Sequence, residues 1–306
     1  MFDKIVVVTR KTRLEELIGR FNSRGQAKFA IESAGGDFAE YVREDDAYRR
    51  SADGLRRGLD LGLKLQVLDR SLVPTYLFAA TDVVVALGQD GLVANTAKYA
   101  GEQPLVGVNP DPERFDGILL PFLPEQAGEA VCRVLEGRAA IRPVTLAEAV
   151  LNDGQRLLAF NDLFLGVQSH VSARYKIGVG KPSEPQSSSG VLVSTGAGST
   201  GWLSSVFQMA AGVARLSGGK AGKPLVMSWD DPRLAFIVRE PFVSRHSRAT
   251  LTAGVLERGQ ELVMESLTPS GGVVFSDGVE ADYLAFNAGT TARIRAADRR
   301  ARLVAA

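Results

Sequence analysis

The feature that most restricts this chain is Val83-Val84-Val85-Ala86-Leu87, an unbroken apolar run, largely β-branched, that stops on Gly88-Gln89-Asp90-Gly91. A strand without a polar side has no face to offer to water, so it belongs in a sheet covered on both sides, as parallel sheets are. The sequence around it supplies the rest of such a sheet. Residues 5–8 form a short β-branched strand, and after Thr9-Arg10-Lys11-Thr12 a helical spacing follows through Leu14, Leu17, Ile18 and Phe21. The charge-rich stretch 38–59 reads as helix, 63–68 as a second strand, 81–87 as the third, and 104–108 as a fourth that ends at Asn109-Pro110. Strands alternating with helices in this way predict a doubly wound α/β sheet, with ligands expected at the carboxyl ends of its strands.

After a helix at about 126–136 the pattern changes. From Arg142 onward the apolar residues fall in short runs, of period two or of continuous β-branched residues: 157–160, 163–167, 175–179, 191–194, 234–238, 249–251, 261–264, 273–275 and 291–295. Short strands separated by turn residues predict an antiparallel, sandwich-like domain. One helix interrupts it, starting near Ser199 or Thr200 and passing Trp202, Val206, Met209 and Ala210. The Pro/Ser-rich patch 181–189 reads as a mobile surface loop with a lid role open. The expected organisation is an α/β + β chain: residues 1–140 form an α/β nucleotide-binding domain and 141–285 a β-rich domain. For the C-terminal segment 286–306 a return to the first domain is open.

Length and charge agree with this division and exclude some functions. At 306 residues the chain is long enough for two ordinary domains or one large one, since single cores stop growing at roughly 250 to 300 residues, and two are expected. Its 36 basic and 35 acidic side chains leave a net charge of +1, so no global field points to nucleic acid or an acidic membrane. No apolar run is long enough for a signal segment or membrane span, and the cytoplasm is the expected compartment. The single cysteine, Cys132, cannot form an internal disulfide and is expected to be a buried thiol on a helix face.

Three stretches can carry chemistry. Gly88-Gln89-Asp90-Gly91 joins a buried strand to a helix, where glycine permits close backbone approach and the new helix offers unpaired N–H groups to a phosphate. The plainer reading is a tight turn with Asp90 as helix N-cap. Ser194-Thr195-Gly196-Ala197-Gly198-Ser199-Thr200-Gly201-Trp202 also joins strand to helix, and seven of its nine residues are Gly, Ser or Thr. It could hold phosphate or ribose oxygens, or be no more than a glycine-rich connection; with no lysine after the glycines it is not a P-loop. Asn161-Asp162 puts an amide and a carboxylate at the head of an apolar strand, where ribose hydroxyls or an adenine edge could be partners and an Asn-Asp turn is the alternative.

In this order the three stretches resemble the motifs of the NAD kinases: G-G-D-G, an Asn-Glu or Asn-Asp pair, and T-x-x-G-S-T before a helix. Further stretches resemble the mitochondrial-type branch of that family: Val6-Val7-Val8-Thr9-Arg10-Lys11-Thr12-Arg13, Gly107-Val108-Asn109-Pro110-Asp111-Pro112-Glu113-Arg114, Ser172-Ala173-Arg174-Tyr175, Arg239-Glu240-Pro241-Phe242 and Phe275-Ser276-Asp277-Gly278. The resemblance implies an NAD-kinase fold and transfer of a terminal phosphoryl group from ATP, or another polyphosphate donor, to the 2′-hydroxyl of the adenosine ribose of NAD, with Mg²⁺ or another divalent cation. It implies that Asp90 acts on the accepting hydroxyl, and that Asn161, Asp162, Thr200, Gly201, Trp202 and Ser205 bind NAD. Gly88, Gln89, Gly91, Thr195, Gly196, Gly198 and Ser199 complete the two nucleotide-holding loops, and a homodimer or higher oligomer is expected. No protein metal ligand is assigned.

Two positions depart from the family pattern. Gln89 replaces a glycine, adding a side chain and a backbone that avoids positive φ, which bears on the phosphate donor. Gly201-Trp202 stands where Ala-Tyr is usual, which keeps an aromatic ring but enlarges it. Arg10, Lys11 and Arg174 could meet phosphates or be solvated or paired, and Asp277-Gly278 reads first as a hairpin turn. The alternatives to an NAD kinase are a related kinase acting on a lipid, sugar or other nucleotide hydroxyl, and a catalytically weak nucleotide-binding sensor.

Overall fold

The computed structural model describes residues 2–180 and 183–306, which divide into two compact units, 1–142 with 302–306 and 143–301. Residues 286–301, set apart in the sequence reading, thus belong to the second unit, and only the last five residues belong to the first.

The first unit is built on β1 (Lys4–Thr9), β2 (Lys64–Asp69), β3 (Asp82–Leu87) and β4 (Pro104–Val108), in the order β2-β1-β3-β4 with parallel pairing. The C-terminal strand β16 (Thr291–Val304) adds its end to β4, Arg302 opposite Pro104 and Leu303 opposite Leu105. Every residue of β3 and β4 is buried, as the apolar run Val83–Leu87 requires, and the buried carboxylate of Asp82 at the head of β3 pairs with Lys4 at 3.3 Å. Ile5, Val7, Val83, Val85, Val106 and Val108 form one core with Tyr48 and Leu55 of α3 (Phe38–Gly58) and with Ala130, Val131 and Val134 of α5 (Ala127–Leu135). The alternate residues Val6, Val84 and Ala86 are buried as well, so neither face of these strands meets water. Cys132, expected to be buried, is only half-buried on α5. Two shorter helices complete the unit: α1 (Arg13–Phe21), opened by a Thr12–Glu15 capping box, and α2 (Arg24–Ser33), absent from the sequence reading because its apolar spacing is weak. A further helix, α4 (Asp90–Ala97), leaves β3 directly.

The second unit is a sandwich. One layer runs β16-β13-β8-β9, from β8 (Ala173–Val179), β9 (Glu184–Ser188), β13 (Leu262–Ser266) and β16, with β5 (Ile141–Leu151) on β16 and β6 (Arg156–Ala159) on β5. The other runs β12-β11-β10-β7-β14-β15, from β7 (Asp162–Val167), β10 (Val191–Ser194), β11 (Leu234–Val238), β12 (Ala253–Leu256), β14 (Gly272–Ser276) and β15 (Val279–Ala285), antiparallel throughout. Alternate residues of both layers meet in one core: Leu163 and Leu165, Val191 and Val193, Leu262 and Met264, Tyr175 and Ile177. The helix α6 (Trp202–Leu216) covers the outer face of the second layer through Leu203 and Phe207 against Ala235 and Ile237.

Two expectations are corrected here. Residues 249–251 are not a strand; the edge strand lies at 253–256. The patch expected as a mobile loop contains β9, and the reason is polar: Gln186 and Ser188, alternate residues of that strand, are buried and hydrogen bond the hydroxyl of Tyr175. Lys181 and Pro182 of that patch lie outside the described residues.

Candidate functional site

In the first unit the strand order places a reversal between β1 and β3, because the chain passes from β1 to β2 on one side and then to β3 on the other. Ligands of open α/β sheets bind outside the carboxyl ends of the strands at such a point. The Tyr48 hydroxyl bridges it, donating to the Leu87 carbonyl at 3.0 Å and accepting the Arg10 N–H at 3.1 Å. Burial pushes the pKa of this hydroxyl up, which keeps it a donor.

The Gly88-Gln89-Asp90-Gly91 loop starts at that same end of β3. Gln89 has φ −113°, ordinary extended backbone, so the strain expected of a non-glycine residue does not arise. Gln89 is the helix N-cap but provides no side-chain cap bond, and Asp90 is the first helical residue rather than the cap. The Asp90 carboxylate is used elsewhere: Oδ1 accepts the Leu119 N–H at 2.7 Å, and its other oxygen has no hydrogen bond among the described residues. Leu119 belongs to a segment folded back on β4. A Cβ at Gly107 would lie 2.0 Å from the Leu119 carbonyl, and Asn109 holds the turn, accepting from Asp111 N–H at 3.0 Å and donating to the Phe115 carbonyl at 3.0 Å. Gly91 has open space where a side chain would stand.

Arg10 is not a free phosphate ligand. Its guanidinium pairs with Glu44 at 3.1 Å and lies 5.3 Å above the Tyr48 ring. Glu44 is also bonded by Arg13 and lies 3.4 Å from Arg114. Burial works against charge on Glu44, but the Arg13 and Arg10 guanidinia outweigh it and hold its pKa below the ordinary value. Lys11, by contrast, is exposed.

In the second unit Asn161-Asp162 marks the place where the chain leaves one layer at β6 and enters the other at β7. Phe160, Asn161 and Asp162 donate their N–H groups to the Asp277 carboxylate at 3.0, 2.6 and 3.3 Å. The Asp162 carbonyl accepts the Asp277 N–H at 3.0 Å. Thr195 takes the remaining two carbonyls, its hydroxyl donating to Phe160 at 2.6 Å and its N–H to Asn161 at 2.9 Å. The Asn161 side chain is half-buried and makes no hydrogen bond among the described residues. Asp162 is buried, with Oδ1 unpartnered. Burial drives its pKa up to about 7, against the lowering effect of the Ser194 hydroxyl and with some help from the Asp277 charge.

The glycine-rich loop divides into an inner and an outer part. Thr195 and Ser199 are buried, and their hydroxyls are used inside the fold, Ser199 donating to the Gly196 carbonyl at 2.7 Å. Gly196 and Gly198 are required by space, since a Cβ would lie 1.8 Å from the Ser228 carbonyl in one case and 2.3 Å from the Asn161 carbonyl in the other. Thr200, Gly201 and Ser205 are exposed. The loop's hydroxyls, read in the sequence as a set, are thus largely spent on its own shape, and only the outer part is exposed.

Sequence reasoning missed the aromatic wall beside it. Trp202 stacks on Phe164 at 5.8 Å and 16°, Phe275 lies 4.9 Å from Phe164, and the Arg239 guanidinium sits 5.5 Å over Trp202 and 5.8 Å over Phe164. These four line a cavity of about 850 Å³ on the outer face of β7 and β14. Trp202 was read in the sequence as an NAD ligand, but Phe164 and Phe275 have the apolar spacing of any strand, and nothing in that spacing set them beside Trp202 and Arg239. Arg174 uses its backbone, not its side chain, to hold Thr268. Asp277-Gly278 is the hairpin turn expected, with φ 52° and 70°, but its carboxylate does more than turn the chain. Among the described residues no group of three or more His, Cys, Asp or Glu side chains could hold a metal ion, and no helix is long and apolar enough to cross a membrane.

No protein-family model matches the chain. It is 25% identical over 315 residues to "NAD kinase 2, mitochondrial" of Rattus norvegicus, across 79% of this chain and 74% of the relative. The Homo sapiens protein of the same name is 24% identical, across 79% and 71%. Among solved structures it superposes on an NAD kinase from Archaeoglobus fulgidus in complex with ATP, with a TM-score of 0.55 and 15% identity, covering 99% of this chain and 93% of that one. It also superposes on yeast NADH kinase complexed with NADH, with a TM-score of 0.56 and 18% identity, covering 100% and 84%. The fold is that of the NAD kinases, and the resemblance read from the motifs holds.

Proposed function

We propose that the chain is an NAD kinase-like phosphotransferase that moves a terminal phosphoryl group from ATP or another polyphosphate to the 2′-hydroxyl of the adenosine ribose of NAD. The observation that carries this reading is Asp90, whose carboxylate is fixed through one oxygen by Leu119 and leaves the other without a hydrogen bond among the described residues, just past the carboxyl end of β3. A carboxylate held in that way can accept the proton of an attacking hydroxyl without first reorganising. Phosphoryl transfer asks for little covalent chemistry beyond this, being mainly positioning and charge neutralisation.

Asn161 and Asp162 are the proposed NAD ligands, together with the outer residues Thr200, Gly201, Trp202 and Ser205. Gly88, Gln89 and Gly91 are the proposed phosphate-side backbone, and Thr195, Gly196, Gly198 and Ser199 shape the second loop. No cage of side chains for a divalent cation exists among the described residues, and no step is assigned to one. In this reading Mg²⁺ would enter as the counter-ion of the donor, as Mg²⁺ commonly does with substrate phosphates and water. The cytoplasm and an assembly of at least two copies complete the proposal; a single monomeric mass in dilute solution, unchanged by NAD, would remove the latter.

Purified protein incubated with ATP, Mg²⁺ and NAD should form NADP. NAD binding without turnover would favour a nucleotide sensor, and neither binding nor turnover would favour a kinase with another acceptor. Asn161→Ala tests the acceptor side: NAD binding should weaken by about 1 to 3 kcal/mol, the usual cost of an unpaired polar partner, with the melting temperature little changed. Normal NAD binding with early melting would make Asn161 a turn residue.

A further inference from the structure

The Asp277-Gly278 turn is fully accounted for by its backbone: positive φ at both residues closes the β14–β15 hairpin, and Asp and Gly tolerate it. The turn does not account for the carboxylate. That group accepts three successive N–H donors, from Phe160, Asn161 and Asp162, in a segment 115 to 117 residues away in sequence. The segment needs such a partner, because a chain that leaves one sheet layer for another loses its ladder bonds at the crossing. With the Asp277 N–H on the Asp162 carbonyl and Thr195 on the other two, all six polar backbone groups of these three residues are taken by Asp277 and Thr195. The backbone of the crossing is therefore tied down without any use of the Asn161 side chain, whose amide is left over for something else.

We propose that Asp277 is a positioning residue of the acceptor site: its carboxylate holds the β6–β7 crossing in the one backbone conformation that presents the Asn161 amide to NAD. The proposal rests on the reading of Asn161 as an NAD ligand and goes beyond it, since Asp277 itself need not touch the substrate. Asn161→Ala measured in parallel keeps the two apart.

The test uses Asp277→Asn and Asp277→Gly. Asparagine keeps the turn and one acceptor oxygen but turns an NH₂ toward the converging amides; glycine keeps the turn and removes the acceptor altogether. NAD and ATP dissociation constants are measured for the parent, both variants, Asn161→Ala and the Asp277→Asn/Asn161→Ala pair. Expected are an NAD affinity at least about fivefold weaker in both Asp277 variants but no weaker than in Asn161→Ala, ATP affinity within twofold of the parent, and a double variant no weaker for NAD than Asn161→Ala alone, because the positioned group is already gone. NAD affinity within twofold of the parent, equal losses for NAD and ATP, multiplying effects in the pair, or failure of both variants to fold would each overturn the proposal. An Asn161→Ala variant with unaltered NAD affinity would overturn the acceptor-site reading on which it rests.

Discussion

Gly198 and Asp162 meet across the space a side chain would occupy: a Cβ on Gly198 would lie 2.7 Å from Asp162 Oδ1 and 2.6 Å from Ser194 Oγ. Gly91 in the other loop has nothing within 4 Å. The two glycines therefore separate folding from binding. Gly198→Ala should destabilise the protein by about 1 to 3 kcal/mol, the usual cost of overpacking. Gly91→Ala should leave the melting temperature unchanged or raise it slightly, while lowering turnover if a phosphate needs the bare backbone there. Equal melting temperatures for the two variants would contradict the packing described.

Asp90→Asn tests the base. Asparagine Oδ1 can still accept the Leu119 N–H, so the fold should persist, while the charge and the basic oxygen are lost. The expected result is a fall in kcat of about 10²- to 10⁴-fold with NAD affinity within a few-fold of the parent. Unchanged kcat would take Asp90 out of the reaction.

The Asp162 carboxyl gives a pH signature. Its pKa in the folded chain is about 7, against 3.8 for the free group. A carboxyl whose pKa is raised holds its proton more tightly when folded, so it favours folding at low pH, and that contribution is lost as pH rises from about 4 through about 7. Asp162→Asn cannot titrate. Its stability relative to the parent should grow between pH 5 and pH 8 by about 1 kcal/mol or more, read from denaturant unfolding at each pH. A constant difference would mean that Asp162 is not buried as described.

Gln89 occupies extended backbone with no strain, so its effect should come from its side chain alone. Gln89→Gly should change the apparent affinity for the phosphate donor more than that for NAD. Equal changes, or none, would move Gln89 away from the donor.

The local chemistry of the chain was enough for much of the architecture. A strand apolar from Val83 to Leu87, as β3 is, has one solution, a sheet covered on both faces, and period-two runs such as Tyr175 and Ile177 have another, the inner face of a sandwich. The glycine loops were legible for a similar reason: two bonds of sequence place Gly88 and Asp90 at a strand end whatever the rest of the fold does. What failed locally was decided by distant partners. The polar strand β9 exists because Gln186 and Ser188 find the Tyr175 hydroxyl, and α2 because its weakly patterned residues lie against α1. The roles of side chains were least legible of all. Thr195 and Ser199 looked like ligand hydroxyls and are internal bonds, Arg10 looked available and is paired with Glu44, and Asp277 looked like a turn and is the anchor of a segment more than a hundred residues earlier. Periodicity records which face of an element is buried; hydrogen-bond saturation is a property of groups brought together from distant parts of the chain, and only the tertiary structure assigns it.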